Sequence, residues 1–371
     1  MIIGSTKEDL SIEKRVALTP DSAKNIINLG LKICIEKNYA DHIGIRDEEF
    51  KKIGVDIKKS SNEVLSSSNL LIKVNCPSDQ EINYIKEKTI IIGMFNPSKN
   101  KKKISEILKK NINIFSLELL PRITRAQSMD VLSSQANLSG YRAVINATSL
   151  YSKSMAMMMT AAGTVAPAKV FVMGVGVAGL QAIATAKRLG AVVSATDVRR
   201  AAAEQCESLG ASFIMVDDEN DAEDDSGYAK EMSEDYKEKQ RQLISDHVKQ
   251  QDIIICSALI PGKQAPILLD DNAVKSMKPG SIIIDMAIER GGNCTLSKSG
   301  EIVDVNGVSI VGDISLINGI SPDASNLFSK NLYAFLDILI DKETKDLVFD
   351  DEIIKDSAVT IKGQLSEKFT N

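Results

Sequence analysis

The sequence predicts an α/β protein of two doubly wound domains, with a cleft between the domains and two long helices linking them. Short apolar runs alternate with helical segments, as expected for parallel sheets whose strands are buried on both faces. The run 169–173 leads directly into a glycine-rich turn and then into a helix. Long helical segments begin near residues 128 and 323, where we expect the chain to pass between the domains.

The first predicted domain comprises residues 1–130 and is completed by residues 322–371. Its first helix, 20–29, ends before Gly30, where a helix-terminating glycine is expected. Further helices are predicted at 79–88 and 104–110. The predicted strands are 1–5, 32–36, 70–74, 89–94 and 112–116.

The second predicted domain comprises residues 131–321. A long helix over 128–159 is expected to lead into it. The most apolar stretch, 154–179, is predicted as a buried helix, a turn and a buried strand, because its uncharged part is too short to span a bilayer. The predicted strands are 169–173, 192–195, 212–216, 252–258, 281–286 and 309–311. The helix 323–340 then returns the chain to the first domain.

Composition narrows the class of protein. Hydrophobic residues make up 43% of the chain, but tryptophan is absent and aromatics are only 4%, so the core must be built from aliphatic side chains. The net charge of −5 argues against a nucleic-acid-binding protein, which is usually basic. The five cysteines show no metal-ligand spacing, so we predict neither a metal site nor a disulfide framework.

The acidity is concentrated in residues 217–241, which include eleven acidic and four basic residues. A segment this charged cannot bury itself. It is either a solvated insertion or a mobile loop that closes on a ligand, and Tyr228 after Gly227 favours the loop.

The glycine-rich turn has the pattern of a Rossmann-like dinucleotide site. Gly174, Gly176 and Gly179 follow a strand and open a helix, so they suit a tight turn, a close pyrophosphate and close helix packing. Asp197 ends the next strand, where a carboxylate binds the adenosine ribose and repels a 2′-phosphate. This predicts NAD(H). Arg199 and Arg200 leave NADP(H) as the alternative, because an arginine can bind that phosphate.

Two polar groups in the N-terminal part of the chain are candidates for chemistry. Arg122, Gln127, Asp130 and Ser133 could hold a carboxamide and orient a nicotinamide ring, or they could simply form a helix entry capped by Ser128. Arg15 and Lys73 could bind a substrate carboxylate or form surface or interdomain ion pairs. The two histidines lie in no motif, so the sequence predicts cofactor binding without an evident general base.

Several motifs together resemble the NAD(H)-binding alpha subunits of proton-translocating NAD(P) transhydrogenases. The resemblance covers nearly the whole chain. It is carried by Pro121-Arg122 with the run Arg125-Ala126-Gln127-Ser128-Met129-Asp130, by the glycine turn, by Gly227-Tyr228-Ala229-Lys230-Glu231-Met232, and by Gly291-Gly292-Asn293-Cys294.

The resemblance implies that Arg122, Gln127, Asp130 and Ser133 surround the nicotinamide and that Tyr228 lies on a lid. It further implies a cofactor site formed by Gly174, Gly176, Val177, Ala178, Gly179, Asp197, Val198, Ala258 and Leu259. The implied protein is a homodimer that binds NAD(H), uses no metal and spans no membrane itself. NADP(H) is held by a beta subunit, and a membrane-spanning subunit holds the complex at the inner face of the cytoplasmic membrane. Hydride then passes from NADH to NADP⁺, coupled to proton translocation.

Two other functions stay open. The same fold resembles alanine dehydrogenase, but the catalytic histidine of that family would fall near Asn96 and its catalytic aspartate at Glu289. The second alternative is a non-catalytic regulatory module that binds NAD, although such a module would not need the polar cluster around Gln127. The segment 313–322 departs from the transhydrogenase pattern, which puts its contacts with the cofactor in question.

Overall fold

A computed structural model describes residues 1–216, 233–260, 263–313, 316–361, 363–366 and 369, in two compact units. The first unit comprises Met1–Gln135 and Ile320–Asn371, and the second comprises Ala136–Gly319. The chain passes between them within the helix Val131–Leu150 and next to the start of the helix Ser321–Leu339. The boundaries predicted from the sequence are 130 and 322.

The first unit is built on an eight-stranded sheet. In spatial order the strands are Gln364–Leu365, Ala358–Ile361, Asn113–Ser116, Ile90–Gly93, Leu70–Ile72, Ile2–Ser5, Lys32–Glu36 and Asp56–Lys58. All neighbours are parallel except at one edge, where Ala358–Ile361 pairs antiparallel with both Asn113–Ser116 and Gln364–Leu365. The remaining α-helices are Pro20–Asn28, Asp47–Lys52, Ser61–Ser67, Asp79–Tyr84, Lys101–Leu108 and Glu352–Ser357.

The second unit contains a seven-stranded sheet, parallel except at one edge. In spatial order its strands are Ser212–Phe213, Val192–Thr196, Lys169–Met173, Ile253–Cys256, Ile282–Asp285, Val308–Val311 and Ile302–Val305. Its α-helices, besides the greater part of Val131–Leu150, are Val177–Arg188, Ala201–Ser208, Glu234–Val248 and Asp271–Lys275.

Each sheet separates two apolar cores. Leu70 and Ile72 pack into one core of the first unit, whereas Leu71 between them packs into the other. In the second unit Val170 and Phe171 divide in the same way. Successive side chains of a strand point to opposite faces, so a continuous aliphatic run supplies both cores at once. This arrangement confirms the predicted doubly wound α/β class.

The order of the strands creates one switch point in each sheet. The strand Lys169–Met173 has its sequence successor Val192–Thr196 on one side and Ile253–Cys256 on the other. The strand Ile2–Ser5 likewise lies between Lys32–Glu36 and Leu70–Ile72. Ligands of open α/β sheets bind beyond the carboxyl ends of the strands at such points.

Two predicted elements are wrong. The long helix 128–159 is instead a 3₁₀-helix, Thr124–Met129, followed by the α-helix Val131–Leu150. The buried helix expected after residue 154 is an exposed β-hairpin, with strands Met158–Thr160 and Gly163–Val165. Gly163 has φ of 130°, a conformation that favours glycine and that a helix does not use.

The acidic segment is only partly within the described residues. Residues 217–232, and with them the predicted lid residue Tyr228, lie outside those residues. The remainder belongs to the helix Glu234–Val248, whose first turn is capped by the Ser233 hydroxyl accepting a hydrogen bond from the backbone N–H of Tyr236.

Within the described ranges, none of the helices combines the length and apolar character needed to cross a bilayer. The same ranges contain no group of three or more His, Cys, Asp or Glu residues placed to bind a metal ion.

Candidate dinucleotide and nicotinamide sites

The glycine turn of the second unit lies at its switch point, and its three glycines have different surroundings. Gly174 has φ of 93°, and a Cβ atom there would lie 2.7 Å from the backbone nitrogen of Ala258. A Cβ atom on Gly179 would clash with the carbonyl oxygen of Gly174. A Cβ atom on Gly176 would meet nothing within 4 Å. Two glycines are therefore required by packing, and the third leaves an opening.

This opening suits a dinucleotide. The helix Val177–Arg188 begins at Gly176, and the first N–H groups of a helix attract phosphate because they lack intrahelical partners. Val177 and Leu259 beside the turn are both exposed, so apolar surface is available to the rest of a ligand. Ala178 and Ala258 are half-buried around the same turn.

Asp197 is buried at the end of the neighbouring strand, as the sequence predicts, but its carboxylate is already engaged. Oδ2 accepts the backbone N–H of Val175 at 2.7 Å and Nη2 of Arg199 at 2.8 Å. Oδ1 accepts the backbone N–H and Nε of Arg199, both at 2.9 Å. An ionised carboxylate has about four lone-pair sites, so these four bonds fill it.

A ribose hydroxyl can therefore bind Asp197 only if Arg199 gives up part of this pairing. The sequence alone suggests Arg199 as a competing phosphate ligand. The structure instead makes it the ion-pair partner of the Asp197 carboxylate. Val198 lies half-buried between the two.

In the first unit, Asp130 and Ser133 form a helix cap. Asp130 accepts hydrogen bonds from the Ser133 backbone at 2.9 Å and from its hydroxyl at 2.5 Å. The interpretation in which Ser128 caps this helix is therefore wrong, since Asp130 directly precedes the helix Val131–Leu150. Arg122 and Gln127 are exposed on the preceding segment, so they are accessible to a ligand.

The two cations expected to bind a carboxylate are neutralised within the first unit. Arg15 makes a two-bond pair with Glu13, at 2.8 and 2.7 Å, and donates to Gln135 at 3.0 Å. Lys73 lies at the switch point and donates to Glu81 at 2.8 Å and Thr6 at 2.9 Å.

The pKa values at the Lys73 cluster reflect this pairing. Burial alone lowers the pKa of Lys73, but the carboxylates of Glu8 and Glu81 outweigh it and raise the pKa above its ordinary value. Burial raises the pKa of Glu81, yet Lys73 brings it below its ordinary value. The switch point of this sheet thus holds a closed ion-pair cluster.

Two polar residues of the second unit were not identified from the sequence. Asn293 lies in a motif to which the sequence assigns no role, and its amide bonds both the N–H and the C=O of Ala258, at 3.1 and 2.9 Å. Gln240, 9% exposed, lines a cavity of about 380 Å³ together with Lys237, Arg241 and Lys263. The sequence pattern could have identified Gln240, because it is the polar member of a buried helical stripe whose residues recur every four positions.

The predicted site residues thus form two groups. The predicted dinucleotide-binding residues that fall within the described ranges all lie in the second unit. The first unit contains the predicted nicotinamide-binding residues Arg122, Gln127, Asp130 and Ser133.

Comparisons with known proteins cover nearly the whole chain. The family model described as Alanine dehydrogenase/PNT, N-terminal domain, matches residues 4–139, and its C-terminal counterpart matches residues 143–368. The chain is 46% identical to the first of the parts that make up NAD(P) transhydrogenase subunit alpha in Rhodospirillum rubrum, covering 98% of this chain and 97% of that protein. A crystal structure of transhydrogenase from Sinorhizobium meliloti superposes with a TM-score of 0.90 at 44% identity, covering 98% and 100% of the two chains.

The similarity to alanine dehydrogenase is weaker. The enzyme of Methanococcus maripaludis is 27% identical, over 79% of this chain and 74% of that protein.

The different surroundings of Gly176 and Gly179 predict opposite effects of adding a methyl group. Gly176→Ala should change the unfolding free energy by less than about 0.5 kcal/mol, because its Cβ points into open space. It should nevertheless weaken NADH binding at least about tenfold, roughly 1.4 kcal/mol, by occupying the pyrophosphate position. Gly179→Ala should cost roughly 2 kcal/mol of stability through overpacking. Urea unfolding and NADH fluorescence titration measure both quantities, and unchanged NADH affinity in Gly176→Ala would contradict the site.

The Asp197–Arg199 pair predicts a change in cofactor choice. Asp197→Ala removes the negative charge and releases Arg199, so the preference for NADH over NADPH should fall by about tenfold or more, the value of one charge-assisted hydrogen bond. Calorimetric titration of both cofactors measures this ratio. The double variant Asp197→Ala/Arg199→Ala is the control and should lose the gain in NADPH affinity. A ratio that stays the same in the single variant means that other groups select the cofactor.

Proposed function

Because the chain belongs to the alanine dehydrogenase/PNT family, we propose that it is the NAD(H)-binding subunit of a proton-translocating transhydrogenase. It would pass hydride from NADH directly to NADP⁺ held on a partner subunit. The observation that carries this proposal is a contrast between the switch points. A Cβ atom on Gly176 would meet open space. The side-chain cations of Arg15 and Lys73, the candidates for binding a carboxylate, are instead already paired with Glu13 and Glu81.

The second unit would hold the adenosine and pyrophosphate of NADH. The backbone around Gly176, Val177 and Ala178 suits the pyrophosphate, and Asp197 suits the ribose once Arg199 moves aside. NADH, when bound, supplies the hydride. The protein's contribution is the position of the cofactor and the exclusion of water.

The first unit would orient the nicotinamide. Arg122 and Gln127 are exposed donors, and the Asp130–Ser133 cap fixes the backbone that follows them. Direct hydride transfer between two nicotinamides requires close and correctly oriented rings, and it requires no general base. Tyr228, outside the described residues, would belong to a lid over this site.

Alanine dehydrogenase activity is the less favoured function. Reduction of an imino acid needs a cation free to bind the substrate carboxylate and an acid/base group. Arg15 is paired with Glu13 through two hydrogen bonds, Lys73 is paired with Glu81, and Asn96 stands near the position expected for the histidine.

We also propose that the chain is a homodimer joined through the hairpin Met158–Thr160 and Gly163–Val165. This hairpin forms a sheet of its own, and all six of its strand residues are exposed. An isolated two-stranded hairpin is marginally stable in water, and an exposed run of methionines favours a contact with another protein surface. A second copy of the chain is the partner that is always present.

The association with the membrane would be indirect. An NADP(H)-binding subunit and a membrane-spanning subunit would hold the protein at the inner face of the cytoplasmic membrane. The names of the transhydrogenase relatives describe them as subunits, which supports an assembly of several chains.

The proposed function predicts activity only in a mixture. The chain alone should bind NADH more tightly than NADPH and should reduce no substrate. When an NADP(H)-binding transhydrogenase domain is added, NADH-dependent reduction of NADP⁺ should appear, because the second nicotinamide is then available. Stopped-flow absorbance with an acetylpyridine analogue of NAD⁺ measures the transfer. Alanine-dependent reduction of NAD⁺ by the chain alone would contradict the proposal.

If the hairpin forms the dimer interface, a charged side chain placed on it should convert the dimer to a monomer. Met159, 79% exposed, is changed to lysine, which should raise the dissociation constant at least about 100-fold because a charge is then desolvated in the interface. Sedimentation velocity over a concentration series measures this constant. Ile302→Lys, at a 59% exposed position outside the hairpin, is the control and should remain a dimer. A dimer that persists in Met159→Lys would exclude this interface.

A further inference from the structure

One buried side-chain amide hydrogen-bonds to residues on both sides of Asp130, in the segment that carries the nicotinamide-facing candidates. Asn331 lies on the helix Ser321–Leu339 and is 8% exposed. Its Nδ2 donates to the carbonyl oxygen of Ser128 at 2.7 Å, and its Oδ1 accepts the hydroxyl of Ser134 at 2.7 Å.

The two bonds are placed directly beside candidate site residues. Ser128 follows Gln127, and Ser134 follows Ser133. We infer that Asn331 is a positioning residue, which fixes Gln127 relative to the Asp130–Ser133 cap and so sets the orientation of the nicotinamide. This inference rests on the proposed function of the segment.

The backbone between these two bonds needs such a support. Thr124–Met129 is a 3₁₀-helix, whose hydrogen bonds have poorer geometry than those of an α-helix. Asp130 then interrupts the helical backbone, with ψ of 89°, before the α-helix begins. Without a tie across this break, the 3₁₀-helix and the α-helix could change their relative orientation.

The neighbouring contacts do not replace the amide. On the same helix, the Ser325 and Ser329 hydroxyls accept the backbone N–H groups of Val16 and Thr19, so they support another part of the unit. Arg125 pairs with Asp351 at 2.7 Å, but this guanidinium is more than half exposed, and exposed ion pairs stabilise weakly. Among these contacts, the Asn331 amide is the buried one that bridges the break.

Asn331→Leu removes both bonds while keeping a similar volume. The segment should then remain attached through its buried apolar side chains Ala126 and Met129, but Gln127 should sample several orientations. NADH affinity should change less than about threefold, because most of the cofactor contacts lie elsewhere. The rate of hydride transfer should fall at least about tenfold, because misplacement of a reacting group reduces the rate steeply.

The test combines hydrogen exchange of the isolated full chain with single-turnover hydride transfer to NADP⁺ on an added NADP(H)-binding domain. In Asn331→Leu, amide exchange should accelerate at least about tenfold within 126–134 and stay unchanged in the strands of the same unit. Ser134→Ala removes one of the two bonds, so it should show a smaller change in the same direction even if Asn331→Leu folds poorly. Asn326→Leu, a matched change on the same helix at a half-buried position, should behave like the wild type.

Either of two results would overturn the inference. Exchange in 126–134 that stays at the wild-type rate in both variants means that Asn331 does not hold the segment. An equal loss of NADH affinity and transfer rate, or uniform acceleration of exchange across the unit, means that its role is only structural. Failure of the wild type to transfer hydride would instead refute the proposed function, and the exchange measurement would still decide whether the amide holds the segment.

Discussion

The contact on which the dinucleotide region depends is the close approach of the Gly179 backbone to the carbonyl of Gly174. Only a residue without a side chain allows the helix Val177–Arg188 to begin so near the end of its strand. The same turn leaves open space beside Gly176 and directs the N–H of Val175 toward Asp197. Ser257, on the neighbouring strand end, donates to the Gly174 carbonyl at 2.9 Å and braces the turn from the other side.

Buried charge is used differently at the two switch points. In the first unit Lys73 pairs with both Glu8 and Glu81, and removing Lys73 would leave these carboxylates without their buried counter-charge. In the second unit Asp197 is paired with Arg199, whose side chain is more exposed than that of its partner. Arg15 and Lys73 are thus both paired with acidic side chains of the first unit, whereas the glycine turn of the second unit leaves open space beside Gly176.

Much of the fold was predictable because aliphatic runs and glycine positions are local signals. The apolar run at 253–256 and the glycine spacing at 174–179 each indicated an element and its place in a sheet. The hairpin at 158–165 was not predictable in this way, because three methionines in an apolar stretch indicate burial unless the surrounding structure excludes them from the core. Asp130 was identified as a site candidate, but its role as the cap depended on where the helix begins.

The sequence by itself determined the doubly wound class, the dinucleotide turn and the identity of most candidate residues, since these depend on periodicity and on residues close together in the chain. The tertiary structure decided which of those residues are accessible. The carboxylate of Asp197 is occupied by Arg199, and the guanidinium of Arg15 is occupied by Glu13 and Gln135. Ser128 and Ser134 are hydrogen-bonded to Asn331, about two hundred residues later in the chain. Hydrogen bonds between distant segments leave no periodic trace in a sequence, because their partners are brought together only when the sheet and its helices pack.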